Sequence, residues 1–377
     1  MTEQSNGAGR IRGRGKRRKK PTTARRAATV AAGSAAGLAL LGASGLGFAY
    51  FKINGNLQGV DINQRLGTDR PKNLDNGSMD ILVLGSDSRS GGNSAYGVDE
   101  GAARSDTAMV VHVHQGHKKA SVVSIPRDTL IERPECTDGK GTAVAGAQRA
   151  MFNTAYEVGG PACAVKTVEK MSGIRMDHYI EVDFSGFKKL IDELGGVEIT
   201  TTRAIDDTKS RLHLEPGTHT LDGEQSLGLV RTRKSVGDGS DLGRIQLQQA
   251  FMKAFIQQVK DVGVFSSPKK MLDLADAATK AITPDSELDS VGELMGFAQG
   301  LDRLGADDVR MVTMPVEYDP QNPNRVVPLK ADARTVWRAL KQDRPIPASA
   351  LEDSAGDKGE AAGVVRSERP TAAVKGD

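Results

Sequence analysis

The chain has 377 residues and a formal net charge of +3, yet ten of its 51 basic residues and only one of its 48 acids precede residue 27. Beyond that point 41 bases face 47 acids, so the bulk of the chain is slightly acidic and poorly suited to nucleic acid, while its basic end suits anionic lipid headgroups. Two cysteines are too few for a zinc ribbon, and the sequence offers no Gly-x-Ser-x-Gly elbow, no Gly-x-x-x-x-Gly-Lys loop and no His-Glu-x-x-His, which leaves serine-hydrolase, P-loop and zincin chemistry without support.

In chain order, residues 1–26 form a tail in which Arg10, Arg12, Arg14, Lys16 to Lys20, Arg25 and Arg26 face Glu3 alone. Residues 27–51 carry no charge and exceed the roughly 20 apolar residues that span a bilayer, so they predict one transmembrane helix with the basic tail in the cytoplasm. A cleaved signal peptide is the rival reading of this end. Residues 52–78 are polar, with Gly, Asn and Pro, and predict a stalk of little fixed structure.

A domain is expected over residues 79–344. Short apolar runs at 79–85, 107–114 and 120–125 predict strands; 184–194 has helical spacing and stops at Gly195-Gly196 before an extended 197–201. Helical patterns at 243–261, 267–281 and 287–304, a strand at 309–316 and a helix at 331–341 complete the alternation. The expected fold is α/β, a three-layer α/β/α domain with a central mixed β-sheet, preceded by one transmembrane helix. Residues 345–377 are small, polar and charged and predict a disordered tail. Cys136 and Cys163 lie in the outer domain, where disulfides persist, and are expected to pair; two separate buried thiols are the alternative.

Arginine recurs with aspartate at strand ends. Leu84-Gly85-Ser86-Asp87-Ser88-Arg89 follows the first strand, Arg104-Ser105-Asp106-Thr107 enters the second, and Ser124-Ile125-Pro126-Arg127-Asp128 leaves the third. A fourth cluster combines Arg231, Thr232 and Arg233 with Asp238, Asp241, Arg244 and Gln248. Guanidinium groups grip phosphate oxygens bidentately and carboxylates hold Mg²⁺, so the mixture suits phosphates; for any one pair, a solvated turn or surface ion pair is the plain alternative. His112 and His114 share one strand face, where they could in principle chelate a metal, but no cysteine or paired acid accompanies them in sequence and a half-buried strand face is the simpler account.

These motifs, with Phe-Asn-Thr-Ala-Tyr-Glu-Val-Gly-Gly, Leu-Gly-Gly-Val-Glu-Ile, and Leu-Val-Arg-Thr-Arg with Asp-Gly-Ser-Asp-Leu-Gly-Arg-Ile, resemble the LytR-CpsA-Psr proteins, cell-wall glycopolymer ligases, over about residues 80–258. The resemblance implies transfer of an anionic glycopolymer from a polyprenyl-pyrophosphate carrier to the muramic acid 6-hydroxyl of peptidoglycan, assisted by Mg²⁺, with Mn²⁺ as an alternative. It places Asp87 and Asp106 at the metal, and Arg89, Arg104, Arg127, Arg231, Arg233, Arg244 and Gln248 around the pyrophosphate. Asp106, Asp241 and Arg127 become the catalytic candidates, with Asp106 and Asp241 both open as general base. One departure is that Met151 and Phe152 stand where relatives carry a basic residue before Asn153, for which Arg149 is the candidate replacement. Phe184, Phe187, Leu190 and Ile191 are either the wall of a lipid groove or core. A pyrophosphatase acting with water and a non-catalytic lipid-carrier or wall-binding protein are the alternative functions.

Overall fold

A computed structural model of the chain describes residues 47, 50–86, 105–233, 236, 239–263, 268–356 and 363–366. The chain forms two units, Met1–Phe51 and Lys52–Asp377. In the first, the Tyr50 and Phe51 rings meet edge to face at 6.0 Å. No described helix is long and apolar enough to cross a membrane, and the expected span, residues 27–51, falls almost wholly outside the described residues.

The second unit is built on six strands: β1 (Met79–Ser86), β2 (Ser105–Val113), β3 (Ala120–Ser124), β4 (His178–Asp183), β5 (Ile282–Pro284) and β6 (Val309–Thr313). Their order is β5-β4-β1-β2-β3-β6. β1 runs parallel to β4 and β3 parallel to β6, while the other neighbours are antiparallel, so the sheet is mixed as expected. Alternation along the strands gives each face its own core. Leu82, Leu84, Val110 and Val123 meet Val165 and Val168 of α1 (Asn153–Ser172) and Val336, Trp337 and Leu340, which belong to the C-terminal helix described below. Met109, Val111 and Val122 turn the other way and meet Met311, Leu304 and Ile256.

The remaining helices are α2 (Phe184–Glu193), α3 (Gly223–Arg231), α4 (Asp241–Asp261), α5 (Pro268–Ala281), α6 (Val291–Gly300) and α7 (Lys330–Lys341). α1 and α7 thus cover one face and α4 the other, a three-layer arrangement. α2, α3 and α4 also enclose a second core around Ile191, Leu229, Leu247 and Phe251, closed by an antiparallel sheet of Gly217–Leu221, Val197–Thr201 and Val365–Arg366.

Two expectations change and one helix is added. The segment expected to be a loose stalk is packed: Ile53 and Leu57 are buried beside Val291, Ile62 and Leu66 enter the main core, and the Arg70 guanidinium donates to buried Glu169 at 2.6 Å. Polar spacing hid four apolar side chains that dock one at a time. The tail from 345 is not uniformly loose either, since Ile346 and Ala350 are buried in the main core and Val364 and Val365 in the second. α1 was not legible as a helix because Gly159, Gly160 and Pro161 interrupt it: Gly160 takes φ +62° and the chain breaks there before turning helical again. Gly159 admits no side chain, because a Cβ would lie 2.7 Å from the Thr137 carbonyl oxygen and 2.8 Å from Cys163 Cβ.

That close approach seats a disulfide. Cys136 and Cys163 are bonded, with Cα atoms 5.4 Å apart, tying the short strand Cys136–Thr137 to α1. For a separation of 27 residues the chain-entropy estimate is about 3–4 kcal/mol. Cys136→Ser with Cys163→Ser should therefore lower unfolding stability in urea by about 3 kcal/mol. Adding reductant should lower the wild type to a similar level and leave the double variant unmoved; reductant-insensitive wild type would remove the bridge from the stability of the fold.

A buried pair pins the sheet edge. Asp285, beyond β5, accepts from the Tyr179 backbone N–H at 2.7 Å and from Glu287 at 2.8 Å, and faces His178 Nδ1 at 3.2 Å. Burial opposes the charge on His178, but Asp285, reinforced by Glu287 and Asp177, outweighs it and raises the imidazole above its usual range. Burial likewise opposes ionisation of Asp285, and His178 with the two backbone donors outweighs it and lowers the carboxyl. The His178 contribution is therefore complete below about pH 6.5 and is lost as pH rises through its raised folded value, whereas that of Asp285 is lost only in acid. Asp285→Asn should cost about 1–3 kcal/mol at pH 6 and flatten the decline in stability between neutral and mildly alkaline pH. Denaturant titrations of both proteins across that range test this, and an undiminished slope in the variant would contradict it.

Candidate active site

Antiparallel pairing brings the start of β2 beside the end of β1, with Thr107 opposite Gly85, and the loop after β3 passes the same end of the sheet. The N-terminus of α4 faces it. Asp106 from β2, Arg127 from the loop, and Asp241 and Arg244 from the first turn of α4 meet there. Asp106 and Arg127 form an ion pair. The Arg127 backbone N–H donates to Asp241 Oδ2 at 3.1 Å, and its Nε lies 3.6 Å from Asp241 Oδ1. Arg244 Nη2 lies 2.5 Å from Asp241 Oδ1 and donates to the Asp106 carbonyl at 2.7 Å. Charge alternates through four side chains that are at most one-fifth exposed.

The electrostatics follow from that alternation. Burial disfavours the Asp106 carboxylate, but Arg127 and Arg244 overcome it and hold the group below the usual carboxylate range. Arg127 is likewise desolvated and rescued by Asp106, Asp241 and Asp128. Arg233 fares differently: burial, then the like charges of Arg244 and Arg127, lower its pKa despite Asp241 and Asp106. A cation in that position gains from any anion that arrives. In addition, Arg127 Nε, Arg244 Nε and Asn153 Oδ1 are buried without a hydrogen bond to any described residue, and such groups are costly unless something else satisfies them.

Two cavities flank the network. One, about 290 Å³, is lined by Lys209, Arg231, Arg233 and Arg244 with Asp106 and Asp207. The other, about 700 Å³, is lined by Arg127, Asp241, Asp128, Met151, Asn153, Tyr318 and Arg325 among others. The α4 N-terminus opens on the second, where the helix dipole favours negative charge.

Of the residues expected at the site, Asp106, Arg127, Arg231, Arg233, Asp241 and Arg244 are brought together; Asp87, Arg89 and Arg104 lie outside the described residues. Arg231 sits 5.0 Å over the Phe184 ring, a cation–π contact that fixes its stem. Gln248 is committed to the protein: its amide donates to Thr107 Oγ1 at 3.0 Å and to the Val230 carbonyl at 2.9 Å, so it joins α4 to β2 and α3 rather than facing a cavity. Arg149 does not replace the missing basic residue, because its guanidinium is held by Asp319 at 2.8 Å and lines a separate cleft. Of the apolar candidates, Ile191, fully buried, and Phe187, against Phe251 at 5.6 Å, belong to the second core.

Arg325 was not foreseen. It reaches the cavity from a hairpin of Val316–Asp319 and Asn322–Pro328, 3.6 Å from Asp128, and Val326 bridges to Thr129. Nothing near Arg325 in sequence signals this; only the fold carries the hairpin over the loop after β3. For a divalent cation, Asp106 supplies one ionised oxygen donor. With a second carboxylate and phosphate oxygens, such a set suits Mg²⁺.

A model of the LytR_cpsA_psr family matches residues 49–342. The cell wall biosynthesis protein LcpA of Corynebacterium glutamicum is 34% identical over 302 residues, covering 72% of this chain and 57% of that protein. TagT of Bacillus subtilis, named as a polyisoprenyl-teichoic acid–peptidoglycan teichoic acid transferase, is 34% identical over 271 residues, 69% of this chain and 79% of its own length. A solved structure of TagT bound to LI-WTA superposes with a TM-score of 0.53 at 27% identity, over 73% of this chain and 94% of that one. The family model matches most of the chain, the solved structures share its mixed α/β fold, and the chain belongs to the LytR_cpsA_psr family.

Proposed function

We propose that the chain transfers an anionic glycopolymer from a polyprenyl-pyrophosphate carrier to a peptidoglycan hydroxyl, forming a phosphodiester. The observation that carries this is Arg233, a half-buried cation pressed by Arg127 and Arg244 beside unsatisfied guanidinium nitrogens, which is an anion site with more positive charge than its carboxylates neutralise. The reaction class follows TagT, whose name states it and whose structure holds LI-WTA.

In this reading the smaller cavity, with Arg231, Arg233, Arg244 and Lys209, takes the two phosphates, and the acceptor enters through the larger one. The acceptor hydroxyl oxygen bonds to the phosphorus next to the sugar, the bond from that phosphorus to the bridging oxygen breaks, and the polyprenyl phosphate leaves. Asp241 accepts from the Arg127 backbone N–H on Oδ2 and is ion-paired with Arg244 at Oδ1, which receives no hydrogen bond, and it is the more deeply seated of the two carboxylates, so it positions the arginines. Asp106 keeps one oxygen outside its Arg127 contact and stays ionised at neutral pH, so it is the carboxylate available to take the hydroxyl proton. Phosphoryl transfer through a loose transition state asks little of the base and much of positioning and charge. Mg²⁺, held by Asp106 with Asp87, would add neutralisation of the pyrophosphate.

Full-length protein with Mg²⁺, a lipid-pyrophosphate-linked oligosaccharide and peptidoglycan should yield covalent transfer. Release of phosphate without transfer would identify a phosphatase, and binding without turnover a carrier protein. Arg127→Ala should lower turnover by about 10²–10³-fold. It should also move the acid limb of the remaining activity to higher pH, because Asp106 loses the cation that most lowers its pKa; an acid limb that stays in place would remove Asp106 from the base role.

The reading includes a membrane anchor over residues 27–51, with residues 1–26 in the cytoplasm and the catalytic unit outside. The charge asymmetry supports it, as do Tyr50 and Phe51, 46% and 76% exposed at the end of the run. Protease added to intact spheroplasts should digest the domain and spare a tag before residue 1; the reverse pattern would invert the topology.

A further inference from the structure

The two histidines of β2 are not alone in space. Asp80 stands opposite His112 in the β1–β2 register, and its Oδ1 lies 2.8 Å from His112 Nδ1. His114 Nε2 lies 2.9 Å from Ser121 Oγ on β3. Each imidazole thus has one nitrogen engaged by a neighbouring strand. The two other nitrogens turn toward a single oxygen, Asp343 Oδ1, with His112 Nε2 at 3.1 Å and His114 Nδ1 at 2.7 Å. The acid that the sequence did not place beside the histidines comes from beyond α7, 229 residues further along the chain than His114.

Asp343 is held there deliberately. It closes α7 in the left-handed conformation, φ +51°, with its N–H on the Leu340 carbonyl and the Arg344 N–H on that of Ala339, each at 2.8 Å. Glycine or asparagine usually fills such a position, and a residue kept in a disfavoured backbone region points to a role for its side chain. The Asp343 carboxylate also accepts from the Gln115 backbone N–H at 3.3 Å, which fixes its direction. His112 is 1% exposed, His114 16% and Asp343 20% by side chain, so the cluster is shielded yet reachable.

We propose that His112 Nε2, His114 Nδ1 and Asp343 Oδ1 bind a zinc-class divalent cation, with water as the fourth ligand. Two imidazoles and a carboxylate are a common zinc set, and the Asp80 contact at the far nitrogen of His112 supplies the carboxylate–histidine–metal arrangement that orients such ligands. The three donor atoms lie within 4.8 Å of one another. Tetrahedral zinc separates its ligand atoms by about 3.3 Å, so the existing 3.1 Å fits, the 2.7 Å contact must open by about half an ångström, and the two imidazole nitrogens, which the 4.8 Å span of the donor set leaves further apart than this, must close on the ion as it binds. No other described group of three or more histidine, cysteine, aspartate or glutamate side chains has this geometry. The site is remote from the arginine network, since His112 stands six residues along β2 from Asp106, about 20 Å. Its effect would be to fasten the end of α7 to the centre of the sheet, independently of catalysis.

Tag-free full-length protein, stripped with chelator and kept in millimolar Mg²⁺ to saturate the phosphate site, should retain one equivalent of Zn²⁺ through gel filtration and melt at a higher temperature with it. Co²⁺ in its place should give the intense visible bands of tetrahedral coordination, a readout that needs no variant. His114→Gln and Asp343→Asn should each weaken Zn²⁺ binding at least about tenfold, while Arg127→Ala leaves it unchanged. Absence of retained zinc, an octahedral Co²⁺ spectrum, or equal binding in both ligand variants would show that the cluster holds protons only.

Discussion

The alternation Asp106, Arg127, Asp241, Arg244 is the constraint on which the catalytic unit turns. It joins three parts that chain connectivity leaves apart: the first residues of β2, the loop leaving β3 and the first turn of α4. Charges this buried are expensive, and removing one member strands its partner at a cost of about 3–5 kcal/mol. The same network fixes the mouth of the site and, in the proposed function, carries its chemistry, so loss of function and loss of stability would be coupled at these four positions.

Around that network the fold supplies rigid supports. Gln248 ties α4 to β2 and α3, the hairpin carrying Arg325 docks through Val326 on Thr129, and the disulfide holds the strand Cys136–Thr137, which follows Leu130–Arg133, against α1. Each support enters from a different element, so the arginines are aimed by the sheet and its helices rather than by the loops that bear them. Preorganisation of this kind lets a phosphate site act with little rearrangement during the reaction.

The sheet and the heart of the site were legible because their signals are local. Period-2 apolar runs marked β1, β2 and β3, and arginine–aspartate pairs sat at strand ends. What escaped depends on long-range placement. Arg325 and Asp343 reach their partners from 197 and 229 residues away, distances over which no periodicity speaks. The 52–78 segment and the 345–356 stretch read as loose because their buried residues, Ile53, Leu57, Ile62, Leu66, Ile346 and Ala350, come singly among polar neighbours. α1 was masked by the Gly-Gly-Pro that breaks it, although that break is what admits the disulfide.

The carboxylates also bear on selectivity. A cluster of arginines alone would repel itself and splay; at Arg233, burial and then the like charges of Arg244 and Arg127 already lower the pKa. Asp106 and Asp241 hold Arg127 and Arg244 in place before a ligand binds, so an incoming anion must compete with two internal carboxylates for the same donors. A singly charged ligand offers the arginines little that these carboxylates do not. A pyrophosphate brings more charge and more oxygens, meets the unsatisfied Nε atoms of Arg127 and Arg244, and relieves Arg233 as well. In the proposed function it is the mixed network, rather than the number of arginines, that favours two linked phosphates as occupant.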